Sequence, residues 1–189
     1  MAPAGWNDAT ADAAGVPVTR TLCHVTSCTR CLPHHAAILQ QLYALKDTGQ
    51  ARKSHYFAGR YENIYLDRGS IPGLDVILDA ALTEAAQLLG CAPDALQLGF
   101  WFNLMQQNDV TLPHSHDDDD ELLSATYYLQ IPPDAGRLVL KLPDGQRTIE
   151  PVAGEFVFFH PGIEHEVTRH RHATPRISIG INFGPKAHA

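Results

Sequence analysis

The chain has 189 residues, 44% of them apolar and 19% charged, which suits one domain with its own core and excludes wholesale disorder. A net charge of −7, from 14 basic against 21 acidic residues, argues against a general nucleic-acid binder. No stretch approaches the roughly 18 apolar residues of a membrane span, and residues 1–20 lack a secretory apolar segment, so a cytoplasmic setting is the default expectation.

Residues 1–20 are rich in Ala, Gly and Pro without periodicity and read as a tail. Cys23, Cys28 and Cys31 follow, with CxxC spacing at 28–31 and His24, His34 and His35 close by. That spacing is compatible with a small zinc site or a redox pair. No second spaced pair follows, Cys91 stands alone, and reduced cysteines in a turn are the expectation. After Pro33, the recurrence of Ile38, Leu39, Leu42, Tyr43 and Leu45 predicts a helix over 35–46, with Gly49 beyond its end. Residues 55–66 carry aromatic and β-branched side chains that suggest one or two short strands. A second helix is predicted from Gly73 to Leu89, between Pro72 and Gly90, with Leu74, Ile77, Leu78, Ala81, Leu82 and Ala85 on one broad face.

Beyond Pro93 the pattern changes to short strands at 96–105, 122–131, 137–142, 146–150, 155–159, 164–168 and 176–183, separated by turns such as Pro143-Asp144-Gly145. Helices followed by a run of short antiparallel strands predict an α+β chain whose larger part is a β-sandwich, jelly roll or barrel. With no repeat and no long linker, residues 21–189 read as a single domain, helical at about 33–92 and with a β core at about 95–184.

The chemistry concentrates in Pro113-His114-Ser115-His116-Asp117-Asp118. Alternate residues of a strand face one way, so His114, His116 and Asp118 can converge on one cavity. Two imidazoles and a carboxylate leave open positions on a metal, an arrangement suited to non-haem Fe(II). His165, beyond Phe158-Phe159-His160-Pro161-Gly162, is the natural distant partner. The five acids Asp117 to Glu121 read as a solvated loop that could also steer a cationic substrate. His170 and His172, interleaved with Arg169 and Arg171, read as a surface turn, and His160 as structural.

Asn103 after Trp101, His116-Asp117-Asp118 ahead of Ser124-Ala125-Thr126-Tyr127-Tyr128-Leu129, Gly136-Arg137-Leu138, Phe158-Phe159-His160-Pro161 ahead of His165, and Arg176-Ile177-Ser178 occur in that order. This set, over about 97–184, resembles the bacterial 2-oxoglutarate- and Fe(II)-dependent dioxygenases. The resemblance implies a double-stranded β-helix (jelly-roll, cupin-like) core with N-terminal buttressing helices, and Fe(II) and 2-oxoglutarate as cofactors. It implies metal ligation by His116, Asp118 and His165, the register counted back from Ser124, with His114 completing the set in an alternative register. Arg176 and Ser178 are implied to bind the far carboxylate of 2-oxoglutarate, Tyr128 to assist there, and Asn103 and Asn182 to orient polar groups. The implied reaction uses molecular oxygen to hydroxylate a small molecule or an amino-acid-like substrate, releasing succinate and CO2. The segment His55 to Arg68 is expected to form part of the substrate mouth, and a homodimer is compatible with the sequence. Two alternatives stay open: a cupin-like metalloenzyme that does not use 2-oxoglutarate, and a non-catalytic metal- or ligand-binding barrel. Neither a nucleic-acid nor a membrane partner is expected.

Overall fold

A computed structural model describes residues 23–186 apart from 58 and 117–119, so the expected tail and Asp118 lie outside the described residues. Strand β1 (Cys23–Ser27) leads through a 3-10 turn (Thr29–His34) into helix α1 (His35–Leu45). A hairpin of β2 (Arg52–Phe57) and β3 (Arg60–Tyr65) precedes helix α2 (Leu74–Leu89). Then come β4 (Leu96–Met105), β5 (Thr111–His114), β6 (Leu123–Gln130), β7 (Leu138–Leu142), β8 (Gly145–Ile149), β9 (Glu155–Phe159), β10 (His165–Val167) and β11 (Arg176–Pro185). They form an antiparallel seven-stranded sheet in the order β1-β9-β6-β11-β4-β3-β2 and a four-stranded sheet in the order β5-β10-β7-β8. The α+β class read from the sequence is the one observed. No helix among the described residues is long and apolar enough to cross a membrane.

Period-two patterning of the central strands sorts the large sheet into two faces. Ile177, Ile179, Ile181 and Phe183 of β11, Ala125, Tyr127 and Leu129 of β6, and Phe156 and Phe158 of β9 share one core with Ile38 and Leu42 of α1 and Leu74, Ile77 and Leu78 of α2. The alternate residues, Met105, Tyr128, Val157 and Phe159, join Leu138 and Leu140 of the small sheet in a second core. The helices thus close one face, and the other face turns toward the small sheet. Helix α2 stops at Gly90, whose φ of 68° suits a residue without a β-carbon and lets its N–H reach Ala86 O and Gln87 O.

Four local expectations are corrected. β1 and β5 are additional strands, each held by pairing: β1 runs along β9 from Cys23↔Phe159 to Ser27↔Glu155, and β5 meets β10 at His114↔His165. β5 ends at His114, so His116 is not on the strand that the alternation assumed; its N–H instead donates to Pro161 O at 2.8 Å. Cys28 and Cys31 are joined in a disulfide rather than reduced, while Cys23 and Cys91 are free thiols. His170 is fully buried rather than on a surface turn, because Asn108 N–H donates to its carbonyl and its own N–H donates to Asp109 O, tying the loop down.

Phe156 is 1% exposed, and its ring lies 4.4 Å from that of Tyr127 and 5.6 Å from that of Phe158. Truncation leaves a void between sheet and helices. Phe156→Ala is expected to lower unfolding free energy by about 3–5 kcal/mol in urea denaturation at unchanged m-value.

Candidate active site

Three imidazoles converge where the small sheet meets the loop before β6. The ligand-capable nitrogens of His114, His116 and His165 all lie within 4.8 Å of one another. Ring centroids are 4.3 Å apart for His114 and His165, 5.0 Å for His114 and His116, and 5.1 Å for His116 and His165. The pairing of β5 with β10 sets His114 directly opposite His165. Nδ1 of His114 lies 2.8 Å from Leu112 O, and Nδ1 of His165 lies 3.0 Å from Ile163 O. A carbonyl only accepts, so both Nδ1 atoms carry protons and both Nε2 lone pairs are free to bind a metal. Burial, reinforced by the neighbouring His114 and His116, pushes His165 down to about 3 and keeps it neutral. Phe159 packs on His165 at 4.7 Å and fixes its ring. Of the ligands read from the sequence, His116 and His165 come together with His114; Asp118 lies outside the described residues.

The cavity face of the large sheet supplies the second feature. Arg176 is 1% exposed, and its alternation partners on β11 are Ser178, Gly180 and Asn182. Its Nε donates to Gly136 O at 3.1 Å and its Nη1 to Ser178 Oγ at 3.1 Å, while Met105 Sδ lies 3.8 Å away. The guanidinium carbon stands 5.3 Å from the centroid of the Tyr128 ring. Among the described residues no carboxylate pairs with this cation, and burial lowers its proton affinity. Strand pairing puts Ser178 opposite both Tyr128 and Asn103. Tyr128 Oη, Asn103 Oδ1 and Thr111 Oγ1 are all buried and lack hydrogen-bond partners among the described residues. Burial raises the Tyr128 hydroxyl to about 12, against the opposing pull of Arg176, so it stays protonated as a donor.

Asn103, Thr111, the three histidines, Arg176 and Ser178 line one cavity between the sheets. It shares Trp101, Asn103, Thr111, His114 and His116 with an adjoining cleft of about 550 Å3 that His55, Tyr56, Phe57, Glu62 and Asn63 of the β2–β3 hairpin border. Asn182 accepts from Ser124 Oγ at 2.9 Å and donates to Glu121 at 3.3 Å, so it organises the rim.

Sequence reasoning overlooked Trp101, Gly180 and Thr111. The Trp101 indole lies across Gly180, where a β-carbon would stand 2.4 Å from its Cε2, and its ring is 5.6 Å from His116. The alternation of Trp101 with Asn103 on β4 carries the information; a Gly in the middle of the apolar β11 was the accompanying sign. Thr111 sits in a four-residue strand that the sequence pattern does not reveal.

The donor set suits the cofactors of the family the sequence resembles: clustered imidazoles for a divalent metal, and a buried cation with unpaired hydroxyls for a carboxylate. A family model described as the 2OG-Fe(II) oxygenase superfamily matches residues 100–184. No curated protein matches the chain significantly. Among solved structures, a Pseudomonas putida prolyl-4-hydroxylase is 24% identical with a TM-score of 0.70, over 88% of this chain and 94% of its own. A 2OG-Fe(II) family oxidoreductase from Burkholderia pseudomallei is 14% identical with a TM-score of 0.64, over 89% and 86%. The epimerase SnoN of nogalamycin biosynthesis, solved with Fe3+ and alpha-ketoglutarate, is 16% identical with a TM-score of 0.66, over 88% and 80%. These likenesses identify the fold as the double-stranded β-helix. The matched segment contains all three histidines and Arg176, so over these residues the chain is similar to the 2OG-Fe(II) oxygenase superfamily, and its cavity suits Fe(II) and 2-oxoglutarate.

Proposed function

We infer that the protein hydroxylates a small molecule or an amino-acid-like substrate, and the observation that carries this is a buried guanidinium, with no carboxylate partner among the described residues, in the same cavity as three converging imidazoles. The third metal ligand in this reading is His114, whose oriented Nε2 completes a set with His116 and His165. Asp118, the ligand of the His-x-Asp register, is the competing third ligand. Arg176 binds the distal carboxylate of 2-oxoglutarate, and the Ser178 and Tyr128 hydroxyls donate to it. Thr111 and Asn103 supply further polar contacts in the same cavity. Bound Fe(II) and 2-oxoglutarate supply an oxidant for C–H bonds from molecular oxygen, with succinate and CO2 as co-products. The chain contributes orientation: Leu112 O and Ile163 O fix the imidazoles, and Phe159 and Leu138 keep water from the inner wall. The likeness to a prolyl-4-hydroxylase supports hydroxylation as the outcome. A cupin-like enzyme without 2-oxoglutarate would leave Arg176 buried with nothing to hold, at a cost of several kcal/mol.

Anaerobic addition of Fe(II) and 2-oxoglutarate is expected to produce the visible charge-transfer band of the metal chelate. His116→Ala and His165→Ala are expected to abolish it. His114→Ala is expected to weaken Fe(II) binding more than Asp118→Ala; the opposite order would transfer the third position to Asp118.

Arg176→Met is expected to weaken 2-oxoglutarate binding by one to two orders of magnitude, about 1.5–3 kcal/mol, with Fe(II) affinity retained in the same titration. Unchanged co-substrate affinity would remove the assignment and favour the cupin-like reading.

His165 binds its proton far less readily folded, at about 3, than unfolded, at about 6.5. The unfolded chain therefore holds more protons in that window, and stability of the metal-free protein is complete above about pH 6.5 and declines as pH falls toward 3. His35, also lowered by burial, adds to the same trend. Melting of the metal-free protein from neutral to acid pH is expected to show this decline, and His165→Gln to make it shallower without abolishing it.

A further inference from the structure

The Cys28–Cys31 disulfide has no part in the oxygenase chemistry, and its two sulfurs stand in different surroundings. Cys28 is partly exposed: it packs against the helix-side core and also lines an open cleft of about 270 Å3 together with Thr26, Arg30, Thr83 and Glu84. Cys31 is fully buried in the helix-side core. Its Sγ lies 3.9 Å from Val76 O, so a thiol formed there on reduction has an acceptor in place.

The bridge is a weak structural staple. It spans only two intervening residues, the loop length from which a crosslink draws least chain-entropy stabilisation. The segment is also held without it: β1 pairs with β9 through Ser27, Cys28 N–H donates to Gly154 O at 2.8 Å, and Cys31 N–H to Cys28 O at 3.0 Å. The remaining cysteines take no part in a disulfide framework; Cys23 is a buried thiol whose proton burial holds more tightly, and Cys91 is an exposed one.

We propose that Cys28–Cys31 is a thiol–disulfide exchange site whose substrate is a dithiol, small or protein-borne, with Cys28 as the entry sulfur. A thiolate of the dithiol attacks Cys28 Sγ, the Cys28–Cys31 bond breaks, and Cys31 Sγ leaves with the electron pair and takes up a proton. The second thiolate of the dithiol then attacks its own sulfur in the mixed disulfide and releases Cys28, which is protonated in turn. Two electrons and two protons pass to the protein, and the dithiol becomes a disulfide. Arg30 and Glu84 line the same cleft, and Glu84 is in contact with His24 at 3.1 Å.

The test uses the full chain carrying Cys91→Ser, without iron or 2-oxoglutarate, so it is independent of the oxygenase reading. Native protein is treated with millimolar dithiothreitol and followed by differential alkylation and peptide mass spectrometry. Both sulfurs are expected to become reduced with circular dichroism unchanged, and Cys28 to alkylate at least about tenfold faster than Cys31. With oxidised glutathione, a Cys31→Ser protein is expected to accumulate the mixed disulfide at Cys28, and a Cys28→Ser protein none at Cys31. A bridge that opens only after denaturation, or alkylation of the two sulfurs at equal rates, would overturn the proposal. If Cys31→Ser fails to fold, Cys31→Ala serves for trapping, and the reduction of the intact pair remains decisive by itself.

Discussion

A positive charge withdrawn from water and met, among the described residues, only by neutral partners is the constraint around which the cavity is organised. Arg176 meets a carbonyl, a thioether, a hydroxyl and an aromatic face, and none of these cancels its charge. Such a group is costly in a low-dielectric interior unless an anion joins it. The imidazole cluster presents a complementary demand. Its converging rings offer donors to a cation, and a bound divalent ion would itself attract anionic oxygen. One cavity thus asks for negative charge in two places, which a keto-diacid can supply with a single molecule.

The double-layered architecture makes this placement possible. On β11 the residues Ile177, Ile179, Ile181 and Phe183 anchor the sheet against the helices, while Arg176, Ser178 and Asn182 fall on the opposite face. The apolar side secures the strand through contacts that do not involve the cavity. The polar side can therefore carry unpartnered groups such as Tyr128 Oη and Thr111 Oγ1 without the fold depending on them. The orientation of His114 and His165 is likewise delegated to backbone carbonyls, of Leu112 in β5 and of Ile163 in the turn before β10.

Much of this was legible in the residues. Helix α2 announces itself through a long apolar face between Pro72 and Gly90, and the alternation in Arg176-Ile177-Ser178-Ile179-Gly180-Ile181 separates core from cavity on inspection. Arg176 beside Ser178, and the assembly of His116 with His165, were readable from spacing and resemblance. β1 and β5 were not, because five- and four-residue strands hold together only through partners remote in sequence. The third ligand position stayed open because His114-Ser115-His116 and His116-Asp117-Asp118 both carry the spacing of a ligand pair. His170 was hidden for a different reason: its arginine neighbours give the segment an exposed look, whereas its burial comes from hydrogen bonds to Asn108 and Asp109. CxxC spacing announces proximity of two sulfurs, but not that Cys28 borders a cleft while Cys31 is fully buried.

The indole laid across a residue with no side chain has a broader meaning. Chamber width there is encoded jointly on two adjacent strands, with bulk at position 101 matched to its absence at position 180. Neither site can drift alone: extra volume at 180 collides with the ring, and a smaller residue at 101 opens a hollow beside His116. Divergence of such a chamber toward new guests must therefore advance by paired exchanges, and these two positions form a natural coordinate along which scope is inherited or lost.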